Sequence, residues 1–188
     1  MKCINKLTET RTQSFYGMVR AIYFFVFFFL IVSCSVRRQL PTLQLKENDS
    51  ERLLLNGYYY TKLDSIFFDV ILLYKNGIVY QGGNPRIKHG FKNIDETFSK
   101  SNVDDKETGY IWGLYIVDGN NITIERYLTP IYAEKYQTYV DSGHIVNERQ
   151  FIITSRKYIK TGKLIARRDT FNFRPLSTKR DSTNNFIK

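Results

Sequence analysis

The sequence predicts an all-β fold, an antiparallel up-and-down meander of about eight strands, and three observations predict it. Aromatic residues make up 15% of the 188 residues, almost all of them Tyr or Phe, and with Ile, Val and Thr they favour the pleated, half-buried surface of a strand. Apolar and polar residues alternate in several separate stretches, the period-2 pattern of strands with one face in a core. Asn-Gly, Asp-Gly and Thr-Gly pairs at 76–77, 118–119 and 161–162 stand between such stretches, and glycine supplies the positive φ that tight hairpin turns need. A composition 43% apolar and 24% charged is that of one globular domain, with length left over for a targeting segment.

The first predicted strand, 53–61, contains Leu54, Gly57 and Tyr58-Tyr59-Tyr60. The second, 65–74, is rich in Phe, Ile and Leu, and runs through Lys75-Asn76-Gly77 into a third at 78–80. Gln81-Gly82-Gly83-Asn84-Pro85 breaks the pattern, and it lacks the Lys-Ser/Thr ending of a phosphate-binding loop. Phe91, Ile94 and Phe98 recur at spacings of three and four, which predicts one helix over 91–101. Asp104, Asp105 and Glu107 read as a solvated acidic loop, since Lys106 divides them and their spacing is not that of an EF-hand.

From Gly109 onward the meander resumes. Residues 110–117 place Trp112, Leu114 and Ile116 on one side, and after the turn at 118–121, Ile122 and Ile124 alternate with Thr123 and Glu125. Strands are predicted at 131–140, 145–156 and 164–174, with turns at Asp141-Ser142-Gly143 and Lys160-Thr161-Gly162-Lys163. Residues 51–176 thus form the domain and 177–188 a polar tail. Eight such strands can close into a barrel, which removes exposed edges and leaves room inside for side chains or one small ligand. An open β-sandwich is the alternative.

The amino-terminal part is of another kind. Residues 21–32 are all apolar or aromatic, a helix of roughly 18 Å against a bilayer core of about 30 Å. With Arg20 before this run and Ser33 and Ser35 after it, the stretch reads as a signal peptide over 1–33 rather than as a span. The preceding seventeen residues are polar and mixed, and Met18-Val19-Arg20 would itself begin a compact signal, so translation is expected to start at Met1 or at Met18.

Ile31-Val32-Ser33-Cys34 resembles the lipobox of bacterial lipoprotein precursors. That resemblance implies a diacylglycerol thioether on Cys34, cleavage before it, and labelling of the protein by palmitate. Each buried methylene contributes about 0.8 kcal/mol, so two or three chains anchor where the short helix cannot. Residues 34–50 are then a lipidated tether, and Arg37 and Arg38 can lie against anionic head groups. Cys3 falls in the removed part, leaving no pair for a disulfide and no cysteine-based metal site. By the sorting pattern of such lipoproteins, Ser35 implies the outer membrane, facing the periplasm.

Signal, lipobox, tether and meander together resemble the lipocalin-like lipoproteins of Bacteroidetes. Gly57 and Tyr59 stand where that fold carries Gly-x-Trp in its first strand, and Arg174 stands where it carries a barrel-closing arginine. The lone tryptophan, Trp112, lies in a later strand.

The formal charge of +10 falls to +7 without residues 1–33, which hold Lys2, Lys6, Arg11 and Arg20 against Glu9. What remains is spread along the chain, the pattern of a solvated surface and not of a nucleic-acid site. Two function classes stand. In one, the barrel binds a small apolar or amphipathic ligand among aromatic side chains, with Trp112, Tyr115, Tyr127, Phe151 and Phe173 as candidates. In the other, the domain is a tethered interaction protein of an envelope complex, using a tyrosine-rich face with Tyr132, Tyr136 and Tyr139. An enzyme is not expected. His89 and His144 are the only histidines, Asp141-Ser142-Gly143-His144 reads as a turn, nothing fixes the distance between Asp64 and Asp69, and no metal or cofactor beyond the lipid is implied.

Overall fold

Eight antiparallel strands close on one another in chain order in the computed structural model, which describes residues 39–48, 51–86, 91–100, 103–128 and 137–187. The strands are β1 Gly57–Lys62, β2 Phe68–Leu73, β3 Ile78–Gln81, β4 Trp112–Asp118, β5 Asn121–Tyr127, β6 Thr138–Asn147, β7 Gln150–Tyr158 and β8 Leu164–Pro175. Each pairs with its sequence neighbour, and β1 pairs with β8 through Tyr58 opposite Arg174 and Tyr59 opposite Phe173. The fold is therefore a closed barrel, as the sequence predicts, and not an open sandwich.

Glycines stand at the predicted turns, with φ of 80° at Gly77, 56° at Gly119 and 68° at Gly162. One predicted turn is overturned. Asp141-Ser142-Gly143 lies inside β6, and the chain reverses instead between Asn147 and Gln150. Local composition suggested a turn, but Asp141 is needed in mid-strand as an inward-facing partner for two arginines, and the backbone of β7 lies close over Gly143. A Cβ there would overlap the Ile152 carbonyl. Of the strand predicted at 131–140, the part from Thr138 belongs to β6 and 129–136 lies outside the described residues.

The apolar run of β2 is explained by burial on both faces. Ile71 and Leu73 point into the barrel, while Phe68, Val70 and Leu72 point outward beneath a helix. That helix, α1 Lys92–Ser99, buries Ile94 and Phe98 against Tyr58, Tyr80 and Trp112. Arg174 clamps it with two hydrogen bonds to Asp95, 2.9 and 2.6 Å, while Tyr58 donates to the same carboxylate at 2.8 Å. The acidic stretch expected as a loop is the short helix α2 Val103–Glu107. Its Asp105 pairs with Arg180 and accepts the Trp112 indole N–H through its carbonyl at 2.6 Å.

Both flanks of the barrel are packed against it. Asn48 continues the β4 ladder where β3 ends: its amide donates to the Tyr115 carbonyl and accepts from the Val117 N–H. Glu125, outward-facing yet buried, accepts from the backbone of Thr42 and Leu43 and from the Thr42 hydroxyl, at 2.7–2.9 Å. Thr42, Leu43 and Asn48, within the stretch read as a tether, are thus held against the barrel. At the other terminus Arg180 bonds the Tyr80 hydroxyl and the Thr97 carbonyl, so the polar tail is held by its basic residues.

Lys179 in this segment donates to the Leu55 and Leu73 carbonyls, both at 2.6 Å, and lies over the Tyr74 ring. Those contacts favour the ammonium, but burial outweighs them and pushes the amine down to about 7. Between that value and the usual lysine range the folded chain binds fewer protons than the unfolded one. Stability must then rise with pH, and the penalty for burying the charge is full below about pH 7. Urea unfolding is expected to show a gain of about 2 kcal/mol between about pH 7 and about pH 9, and Lys179→Met to remove it.

The β1–β8 seam makes a second prediction. Gly57 sits against Pro175, where an alanine methyl would overlap the Arg174 carbonyl and crowd the Phe173 ring at 2.8 Å. Gly57→Ala is expected to cost about 1–3 kcal/mol as overpacking, read as a lowered urea midpoint with an unchanged slope.

Candidate functional site

The barrel interior has two halves of different chemistry. The end carrying the β2–β3, β4–β5 and β6–β7 turns is filled by Tyr59, Leu73, Tyr115, Ile122, Phe151, Phe171 and their neighbours. Phe151 stacks on Phe171 with ring centres 4.9 Å apart, and Tyr59 closes this end by donating to the Leu54 and Glu148 carbonyls. The opposite end, where β1–β2 and β7–β8 connect, is polar among the described residues and forms a mouth.

Strand alternation brings the polar set together. Asp69 precedes Ile71 and Leu73 on the inward face of β2, Gln81 follows Val79 on β3, and Arg126 follows Ile122 and Ile124 on β5. Tyr139 and Asp141 come from β6, opposite Arg126 and beside it. Arg156 breaks strict alternation: after Phe151 and Ile153, Ser155 should face inward. A register shift between Ile153 and Ser155 turns β7 so that Arg156 faces Asp141 instead.

At the centre is Arg126, 1% exposed. It gives two hydrogen bonds of 2.9 Å to the oxygens of Asp69 and one of 3.0 Å to Asp141. Arg156 grips Asp141 from the other side at 2.6 and 2.9 Å. Both guanidiniums lie over the Tyr139 ring, at 5.4 and 4.1 Å from its centre. Burial opposes the charge on Arg126, but Asp69, Tyr139 and Asp141 outweigh it, so its pKa is raised and it stays charged. Burial pushes the Tyr139 phenol up to about 12 despite Arg126, which keeps it a neutral donor at physiological pH.

Above this network opens a cavity of about 180 Å³, lined by Asp69, Gln81, Asn84, Arg126, Tyr139, Arg156 and Arg167 among others. Two buried polar atoms of its lining residues, Gln81 Oε1 and Arg126 Nε, have no protein partner. Each is an unmade hydrogen bond in a residue beside a concave, charged pocket, and burial makes it costly. A second depression, about 410 Å³, lies at the filled end between Glu51, Arg52 and the β6–β7 turn, and its walls are mostly exposed side chains.

The sequence-derived candidates are distributed differently from expectation. Tyr115, Phe151 and Phe173 do face the interior, but within the filled half. Trp112 and Tyr127 do not join that filled half, because strand alternation turns both outward, although Tyr127 still lines the cavity at the mouth. Trp112 packs under α1, and Tyr127 donates to the Gln39 carbonyl at 3.0 Å. Gly57, Tyr59 and Arg174 all lie in the β1–β8 seam, with Arg174 on the outer face beside Tyr58 and Tyr59 inside. Tyr139, expected on a surface, faces the pocket, while Tyr132 and Tyr136, like His89 and Cys34, lie outside the described residues. His144 is exposed on β6, and Asp64 caps the Ile66 and Phe67 amides, apart from Asp69.

Arg126, Asp141 and Arg156 are the residues the sequence reading passed over. A signal existed for the first: alternation carried one step past Ile122 and Ile124 puts an arginine where an apolar residue belongs. Among the described residues no group of three or more His, Cys, Asp and Glu is placed to hold a metal. Compared with family models, with curated proteins and with solved structures, the chain gives no match, so the site must be interpreted from its own geometry.

Proposed function

We propose that the protein is a lipid-anchored cell-envelope protein, held through Cys34 at the periplasmic face of the outer membrane, whose barrel binds the polar head of a small amphipathic ligand at its mouth. The anchor rests on the Ile31-Val32-Ser33-Cys34 motif after a short apolar run. The observation that carries the binding reading is the cavity of about 180 Å³ with Gln81 Oε1 and Arg126 Nε buried and unpartnered at its lining. Ligand sites are concave and use a few fixed polar groups for orientation, and here the guanidiniums are held by carboxylates before any ligand arrives. An amphipathic ligand fits better than a wholly apolar one, since the apolar half of the interior is occupied by its own side chains. In this reading the site binds without turnover, its charges serving as fixed donors and acceptors.

Native mass spectrometry of the mature protein, released gently from membranes, tests binding. A bound small molecule, or displacement of an amphipathic fluorescent probe, is expected for the wild type. Gln81→Leu, which removes a lining amide without touching the ion pairs, is expected to weaken binding several-fold with the fold retained. No bound molecule and no probe binding would sink the ligand reading. The anchor is tested separately: radiolabelled palmitate should enter the wild type and not Cys34→Ser, and an unlabelled, uncleaved wild type would overturn it.

A further inference from the structure

The two ends of the barrel differ in charge as well as in packing. At the filled end acids and bases balance: Glu47 pairs with Lys75 at 3.3 Å, and exposed Glu51, Asp118 and Glu148 stand against Lys46, Arg52 and Arg149. The mouth rim from β7 round to β3 is one-sided. Exposed Lys157, Lys160, Lys163, Lys62 and Arg86 stand there, among the described residues, with one exposed carboxylate, Asp64, which already caps two backbone amides, while the half-buried Asp69 and Asp169 are bonded to Arg126 and Arg167.

Large apolar side chains stand out of the same sector. Leu164 is 68% exposed, and Leu63 and Ile66 project from the β1–β2 connection. Leucines among lysines at the tips of adjacent turns have the composition of a surface that enters the headgroup region of an anionic membrane. The chain's entry point agrees. Gln39 is fixed at the mouth, where its side chain accepts from the Thr138 N–H at 3.3 Å and its carbonyl from the Tyr127 hydroxyl at 3.0 Å. Cys34 is five residues upstream, a reach of at most about 18 Å when fully extended.

We infer that the barrel docks mouth-first, by its β7–β8 and β1–β2 turns, on an anionic phospholipid surface. The reach argument rests on the lipid at Cys34, while the charge and apolar arguments stand without it. The ligand pocket then opens toward the headgroup layer, and the balanced end faces away.

Mature protein reconstituted on vesicles tests this, with one thiol introduced at the rim, Leu164→Cys, or at the far end, Val146→Cys, each carrying an environment-sensitive dye. Dye on Cys34 as well would report a missing lipid, which separates failure of the anchor from failure of docking. With phosphatidylglycerol in the vesicles, the dye at 164 is expected to shift to the blue and be quenched by brominated lipid. The dye at 146 should stay aqueous. Lys160→Gln and Lys163→Gln should each lower the ratio of docked to undocked protein about fivefold, and high salt should act in the same direction. Both dyes remaining aqueous on anionic vesicles, the dye at 146 being the one quenched, or equal quenching on pure phosphatidylcholine would each overturn the proposal.

Discussion

Arg126→Met is expected to destabilise the barrel by about 3–5 kcal/mol, although methionine is nearly isosteric and apolar. The loss does not measure what the guanidinium contributes to a well-packed interior. It measures what the variant strands: Asp141, 1% exposed at its side chain, keeps only Arg156, and Asp69 loses both hydrogen bonds of its bidentate pair. Desolvated charges without partners are among the few mechanisms that produce effects of this size. The diagnostic step is therefore the combination. Adding Asp69→Asn to Arg126→Met removes the carboxylate left without its partner, while Asp141 keeps Arg156, and should recover part of the loss. Urea unfolding at fixed pH reads all of these, and a fully additive, ever larger loss would show that the network works through packing alone.

Phe151→Ala is expected to cost a similar amount, about 3–5 kcal/mol, by a different mechanism. Phe151 is fully buried, lies 5.1 Å from the Tyr59 ring and stacks on Phe171, so truncation leaves a cavity in the middle of the filled half. A closed barrel cannot collapse easily onto such a gap, because its strands are bonded on both sides. Phe151→Leu retains most of the volume and should cost less. That variant also tests the proposed ligand site: binding at the mouth should survive it, whereas binding among the aromatic rings would be lost.

The two losses should be nearly independent, since they fall in separate halves of the interior. This division bears on function. The filled half supplies stability and holds the strands that carry Asp69, Arg126 and Tyr139 in fixed directions, so the mouth can keep polar atoms unpartnered. Under the proposed function, a pocket of preset charges at a basic, partly apolar rim would take a ligand presented at a membrane surface.

Much of the scaffold was legible in local chemistry. Hairpin glycines at 77, 119 and 162 occupy left-handed conformations that other residues avoid, and Phe91, Ile94 and Phe98 mark a helix that forms over Lys92–Ser99. The aromatic candidates Tyr115, Phe151 and Phe173 do face inward. Where the reading failed, the deciding partner was distant in sequence. Asp141 looked like a turn residue until Arg126 and Arg156, each fifteen positions away, are seen to need it. Trp112 looked like a pocket residue until α1 is seen to cover the outer face of its strand.

By itself the sequence determined the all-β class, the strand count, most of the turns and a short apolar run ending at Cys34, because period-2 patterning and positive-φ positions are properties of neighbouring residues. Only the tertiary structure decided that the barrel closes, that one half of it is filled and the other charged, and that a shift in β7 aims Arg156 inward. Those outcomes depend on pairing β1 with β8 and on burying charges together, and a low-dielectric interior accepts a charge only where chain closure delivers its partner.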